Sequence, residues 1–231
     1  SHEFIILAET GESKIYADKN IFNLKLDSYN ISKSSLEKMR NDFSSIYAAT
    51  DEKFSKLDFD KKVSKDNQVI TKGIEVGHIF YFGEKYSKTL NCLIDTQDGK
   101  KVPVKMGSYG IGVSRLVGAI VEAKYEKEIM RWPKLISPYD VVIIPNINKN
   151  NKENLIKGEK IYKELKNQNI DVLLDDVEEN MSNKFKKHDL IGIPYQIIIG
   201  SKSTSDKFEF KEINSESILI DLKEIITKIK K

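Results

Sequence analysis

A single cysteine, Cys92, stands in the 231 residues. An internal disulfide and a cysteine-built zinc cluster are thereby excluded. Histidine is almost as scarce. His2, His78 and His188 lie too far apart in sequence to form a metal-ligand pattern, so no metal site is expected. No run approaches the roughly 18 apolar residues of a membrane span, and no membrane partner is expected. Ser1-His2-Glu3-Phe4 opens directly into Ile5-Ile6-Leu7-Ala8, without a signal-peptide pattern. The cytoplasm is the expected address. An initiator methionine is also lacking, which fits either processing or a fragment of a longer chain. Arginine occurs only at Arg40, Arg115 and Arg131. Where lysine is the default cation, a retained arginine draws attention to its planar fork, although a surface arginine needs no special reason.

What is present describes a globular protein. Hydrophobic residues make up 39% and charged residues 32%, enough to bury a core in one large domain or two modest ones. The net charge of +3 permits a nucleic-acid partner without requiring one.

Three stretches differ in rhythm. In the first, Phe4 to Leu7 reads as a strand and Lys33 to Ala49 as a helix. Ser34 or Ser35 is the expected cap, and Leu36, Met39, Phe43, Ile46 and Tyr47 the apolar face. Asp51 to Asp66 is rich in lysine and aspartate and reads as a polar linker or small insertion, near 50–66. In the second, Val69-Ile70 and Gly73 to Phe82 read as strands. Leu90, Cys92 and Ile94 then alternate toward an Asp98-Gly99 turn, with Val102, Val104 and Met106 returning as a hairpin. Glycine-rich Gly107 to Gly112 opens a helix whose apolar face would be Val113, Leu116, Val117, Ile120 and Val121. Antiparallel strands followed by a helix indicate α+β organisation. Trp132-Pro133 and Ser137-Pro138 mark a domain boundary. Beyond it, strands at Val141–Pro145, Ile170–Leu174 and Ile197–Ile199 alternate with helices at Asn151–Asn167 and Asn180–Leu190. That is the pattern of βαβ units and an α/β domain. A hairpin, Phe208–Phe210 with Ile218–Ile220, and a lysine-rich helix close the chain.

Three segments carry chemistry. Gly107-Ser108-Tyr109-Gly110-Ile111-Gly112-Val113-Ser114-Arg115 puts interleaved glycines and an arginine where a strand meets a helix. Such glycines serve close ligand approach or plain packing. The arginine suits a phosphate or a stacked base. Neither a Walker loop nor a dinucleotide fingerprint is present. Gly73-Ile74-Glu75-Val76-Gly77-His78 sets a carboxylate and an imidazole three apart on a strand, which is equally the place for a histidine satisfied at a sheet edge. Asp175-Asp176 ends a strand, with Lys184 and Phe185 on the next helix. Ligands gather at such strand ends, and aspartates also cap turns there.

In order and spacing these segments resemble the C-terminal half of the bacterial prolyl-tRNA synthetases, a class II aminoacyl-tRNA synthetase family. Ser1-His2-Glu3-Phe4 resembles the strand after motif 2. Gly73 to Phe80 with Lys85-Tyr86-Ser87 resembles the segment before motif 3, and Met106 to Arg115 resembles motif 3 itself. Ser137-Pro138-Tyr139-Asp140 through Ile191-Gly192-Ile193-Pro194 and Gly200 resembles the anticodon-binding domain.

The resemblance implies a partial antiparallel-sheet catalytic core over 1–134 and a βαβ-type anticodon-binding domain over 135–231. It implies Arg115 as the catalytic, ATP-holding arginine, with Glu75, Gly110 and Gly112 also on the ATP side. His78, Ser108 and Gly110 would form the proline pocket, and Asp175, Asp176, Lys184 and Phe185 would meet the anticodon. Substrates and partners implied are ATP with Mg2+, proline, tRNA(Pro) and a second subunit in a homodimer. Motif 1, motif 2 and the Thr-X-Glu segment are absent. The 231 residues alone are therefore expected to be inactive. Glu9 to Lys72 is too short for the family's editing insertion, which points to the compact subgroup. Ser108 replaces a common cysteine, and Val177 replaces a common arginine after Asp175-Asp176. The alternative is a non-catalytic, stand-alone tRNA-binding module. A class II synthetase for threonine or glycine fits the Glu-Val-Gly-His segment poorly.

Overall fold

The computed structural model describes residues 2–148, 152–213 and 215–230. Ser1, which opens the first resembling segment, and Asn151, the expected start of a helix, lie outside them. Two compact units divide the chain, Ser1–Ala123 and Lys124–Lys231. The division precedes the proline-marked segment. Trp132 is drawn into the second unit because its backbone N–H and indole Nε1–H donate to the carbonyls of Gly192 and Ile191, at 3.3 and 2.9 Å.

The first unit is organised by one long strand. In chain order its elements are β1 (His2–Leu7), β2 (Ser13–Asp18), α1 (Lys33–Ser45), β3 (Ala48–Thr50), α2 (Lys56–Lys62), β4 (Gln68–Gly83), α3 (Lys85–Thr89), β5 (Leu93–Asp95), β6 (Lys101–Pro103), β7 (Met106–Ile111) and α4 (Val113–Lys124). The two strands read around Gly73 are a single 16-residue strand, β4, dense in β-branched and aromatic residues. It pairs antiparallel with β1, β2 and β7, and β3 extends the sheet beyond β2. Gly73 is required where the chain turns from β1 to β2. A Cβ there would fall 2.2 Å from Ile5, and one on Gly11 would strike the Gly73 backbone.

Several local expectations are corrected. Helix α1 is capped by Ser32, whose hydroxyl accepts from the Ser35 N–H at 3.4 Å, rather than by Ser34 or Ser35. It stops at Ser45 because residues 48–50 are taken by pairing with β2. The supposed polar linker near 50–66 is a folded piece. Ser55 caps α2, and Phe59 and Val63 are buried. Phe54 stacks on Tyr16 with ring centroids 3.6 Å apart, and Phe59 packs edge-on against both. Charge dominates the composition there, yet aromatic residues at Phe54 and Phe59 suffice to anchor it. The hairpin is shorter than read, β5 with β6 around Gly99 at φ +75°. Met106 begins β7 instead. The glycine-rich segment is therefore itself a strand, and the helix opens only at Val113.

The second unit contains β8 (Tyr125–Glu126), β9 (Ile129–Met130), β10 (Val141–Pro145), α5 (Glu153–Asn167), β11 (Val172–Leu174), α6 (Met181–Ile191), β12 (Tyr195–Ile199), β13 (Lys207–Glu212), β14 (Ile218–Asp221) and α7 (Leu222–Lys230). The sheet order is β11-β10-β12-β13-β14. Its first three strands are parallel and its last two antiparallel. Alternate residues of β10 face opposite layers. Val141 and Ile143 join Ile161, Leu165, Ile225 and Ile229 under α5 and α7. Val142 and Ile144 join Ile193 with Met181 and Phe185 under α6. A strand apolar on both faces is what a helix-covered parallel sheet demands. Gly192 ends α6 at φ +80°, a left-handed cap natural to glycine.

Candidate functional site

In the first unit, residues 75–78 and 107–115 meet. Strand β7 lies against β4, with Gly110 opposite His78 and Ser108 opposite Phe80. A bulge decides what faces what. Along β1, Phe4 pairs with Gly77 but Ile5 pairs with Glu75, so Val76 is one residue too many. On a regular strand, residues three apart point to opposite faces. The bulge resets that parity, as bulges do beside functional sites. Consequently Glu75 Oε1 lies 2.8 Å from His78 Nδ1, and the Phe80 ring stacks on the imidazole at 3.7 Å. The carboxylate accepts, so Nδ1 carries the hydrogen. The other nitrogen, Nε2, is buried with no partner among the described residues.

The bulged backbone is tied to the helix start. Gly112 N–H donates to the Val76 carbonyl at 2.9 Å, and Arg115 donates to the Glu75 carbonyl at 3.1 Å. Arg115 sits on the first turn of α4, half-exposed, with Glu12 3.5 Å away. Glu75, His78, Gly110, Gly112 and Arg115 line one shallow cleft of about 130 Å³, together with Val76 and Gly77. A Cβ added to Gly110 would meet nothing within 4 Å. Packing therefore does not require that glycine, whereas an open cleft floor does. Ser108, two residues before Gly110 on β7, is exposed and is not part of the lining.

In the second unit the site residues separate. Asp175 follows β11 and is buried, as is Lys184 on α6. Lys184 Nζ donates to the carbonyls of Pro145 (3.0 Å) and Asp175 (3.1 Å) and lies 3.6 Å from Asp175 Oδ1. Asp175 Oδ2 receives Lys187 at 2.8 Å and His188 at 2.7 Å. Asp175 and Lys184 were both expected at the anticodon. In this structure they face inward and satisfy one another, because the ends of β10 and β11 need internal donors. Asp176 is exposed, and Phe185 packs against the apolar cluster under α6 with part of its surface open. Sequence reading missed Lys187 and His188. Their spacing of three and four from Lys184 on a helix was the available signal.

Burial works to raise the Asp175 pKa. The hydrogen bonds from Lys187 and His188 and the charge of Lys184 outweigh it and hold the carboxyl below the ordinary range. Burial pulls Lys184 down despite Asp175. His188 is likewise lowered by burial, against the pull of Asp175. Its Nε2–H donates to the carboxylate, and Nδ1 has no partner among the described residues, so a second proton would have nowhere to bond. The unfolded chain takes up that proton below about pH 6.5 and the folded chain only at lower pH. Stability should therefore fall as pH drops from 7 toward 5. In thermal melts His188→Gln, which keeps a donor to Asp175 but cannot titrate, should flatten that slope. An unchanged slope would remove His188 as its source.

The sequence profile described as "Anticodon binding domain" matches residues 140–231. The fold also resembles a crystal structure of prolyl-tRNA synthetase from Cryptosporidium parvum complexed with L-proline and AMP. The TM-score is 0.61 over 68% of this chain and 33% of that one, at 20% identity. The likeness in fold is thus to an aminoacyl-tRNA synthetase. The sequence is more particular. It is 55% identical to a proline--tRNA ligase of Pelagibacter ubique over 97% of this chain and 51% of that protein. Identity is 46% to the corresponding ligase of Parvibaculum lavamentivorans (87% of this chain, 46% of that protein) and 47% to one of Rickettsia bellii (89% and 45%). The chain is a homologue of the proline--tRNA ligases and spans about half the length of the curated relatives it matches. Among the described residues no helix is long and apolar enough to cross a membrane.

Proposed function

We propose that this chain supplies the motif 3 part of the catalytic core and the anticodon-binding domain of a proline–tRNA ligase. In the reaction, the proline carboxylate attacks the α-phosphate of magnesium-bound ATP. Prolyl-adenylate forms and pyrophosphate leaves. The terminal ribose hydroxyl of tRNA(Pro) then takes the prolyl group and AMP leaves. The observation that carries the reading is convergence. Glu75, His78, Gly110, Gly112 and Arg115, dispersed over 41 positions of sequence, line one cleft.

Within that reading Arg115 neutralises charge building on the phosphates. Gly110 and Gly112 keep the floor low enough for the adenylate, and Glu75 stands beside them. His78 serves the proline side, and Ser108 borders it. Asp176 meets the anticodon directly, while Asp175 and Lys184 hold the loop that presents it. Phe185 contributes through its open edge. Catalysis rests on positioning and charge, without a covalent protein intermediate. The remaining contacts, including the subunit interface of a homodimer, come from the other half of the ligase, working in the cytoplasm. Domain limits of 1–134 and 135–231 belong to the same proposal.

Proline-dependent ATP–pyrophosphate exchange tests it. An intact ligase carrying this sequence as its back half should exchange, and the 231 residues alone should not. Exchange by the 231 residues at the rate of the intact ligase would overturn the division of labour. No proline dependence in the intact protein would overturn the function.

A further inference from the structure

A second cleft, of about 340 Å³, opens on the first unit and shares no lining residue with the Arg115 site. It is lined by Glu9, Lys14, Ile70, Thr71 and Lys72. The register puts Lys14 of β2 directly opposite Lys72 of β4. Side chains directly opposite across an antiparallel pair have Cβ atoms about 5 Å apart, and like charges there are destabilising. Neither lysine forms an ion pair among the described residues. Lys14 Nζ instead lies over the Tyr16 ring, 5.3 Å from its centroid. That contact holds the ammonium near the strand surface. Glu9 is the one carboxylate of the lining, and it too forms no ion pair among the described residues. The exposed Ile70 gives the cleft an apolar floor beside the two cations.

The sheet thus keeps a repulsive pair where a single substitution would turn it into an attractive one. Such local conflicts mark sites held for binding rather than stability. We propose that Lys14 and Lys72 jointly bind a phosphate oxyanion, namely a backbone phosphate of the bound RNA. Two ammonium groups across one strand pair bracket a phosphodiester, and the apolar floor accepts the adjoining sugar. The inference rests on the reading of this chain as a tRNA-binding protein. It adds an RNA contact far in sequence from the anticodon-binding domain.

The test measures tRNA affinity of the full chain against salt concentration, alongside urea unfolding. Lys14→Gln and Lys72→Gln should each weaken binding and reduce the salt slope by about one. Lys14→Glu, which faces Lys72 with an opposite charge, should weaken RNA binding further while leaving the unfolding midpoint equal or higher. That opposition of signs separates a binding role from a structural one. Unchanged affinity and slope in both glutamine variants would overturn the inference and leave the ligase reading intact. If the unaltered chain binds no tRNA, the inference fails together with the tRNA-binding reading. Titration with inorganic phosphate distinguishes the source. Saturable phosphate binding lost in the variants, with tRNA binding unaffected by them, would assign the cleft to a free oxyanion and overturn the RNA assignment.

Discussion

Arg115→Ala in an intact ligase built on this sequence is expected to lower proline-dependent ATP–pyrophosphate exchange by about 10²–10³-fold, the range for loss of one preorganised charge-stabilising donor. The guanidinium stands on the first turn of α4, where the Glu75 carbonyl accepts from it at 3.1 Å. Its contact with Glu12 is 3.5 Å long between half-exposed side chains. Such a surface pair contributes at most about 1 kcal/mol. The alanine variant should therefore fold normally, and the loss should appear in chemistry alone. Arg115→Lys keeps the charge but not the planar fork, so only partial recovery is expected. Binding of tRNA through the second unit should be unaffected. Exchange surviving within a few-fold would remove Arg115 from the reaction.

The second large effect concerns stability. Asp175→Ala leaves Lys184 inside the second unit with its carbonyl partners but without a counter-charge. Breaking a buried pair from one side costs about 3–5 kcal/mol. A domain is stable by only about 5–15 kcal/mol, so this is a large part of the whole. Urea unfolding should show it as a lowered midpoint for the second unit. Adding Lys184→Met to Asp175→Ala removes the stranded charge, and the double variant should regain part of the loss. That non-additivity is the signature of direct coupling. A loss under about 1 kcal/mol for Asp175→Ala alone would mean the pair carries no buried charge.

The second unit was the more legible in sequence. From Val141 onward its strands are short apolar runs and its helices amphipathic, so periodicity located these within a few residues, while the two-residue strands β8 and β9 were not read. Asn180 caps α6 through its side chain, and Gly192 ends it, as local signals foretell. The first unit was less legible. Strand β2 alternates lysine, isoleucine, tyrosine and alanine too briefly to stand out, and forms because β4 offers it a partner. Residues 51–63 looked solvated by charge count, but Phe54 and Phe59 find Tyr16 and Tyr47 across the sheet edge.

The candidate residues divide in the same way. Arg115, Gly110 and Gly112 were readable as a strand-to-helix glycine segment. The pairing of Glu75 with His78 was not, because spacing of three on a strand denies it and only the bulge at Val76 permits it. Asp175 and Lys184 were readable as charged residues near a strand end. Their inward orientation was not.

By itself the sequence determined the kinship to proline--tRNA ligases, most element types of the second unit, and which residue types gather near the glycine strand. These are local or compositional properties, carried by neighbours in the chain. The tertiary structure alone decided which side chains share a face and which charges lose water. Strand register, a one-residue bulge and burial between sheet and helix are long-range outcomes. They set the Glu75–His78 contact, the interior Asp175–Lys184 pair and the opposition of Lys14 to Lys72, and no stretch of neighbouring residues encodes them.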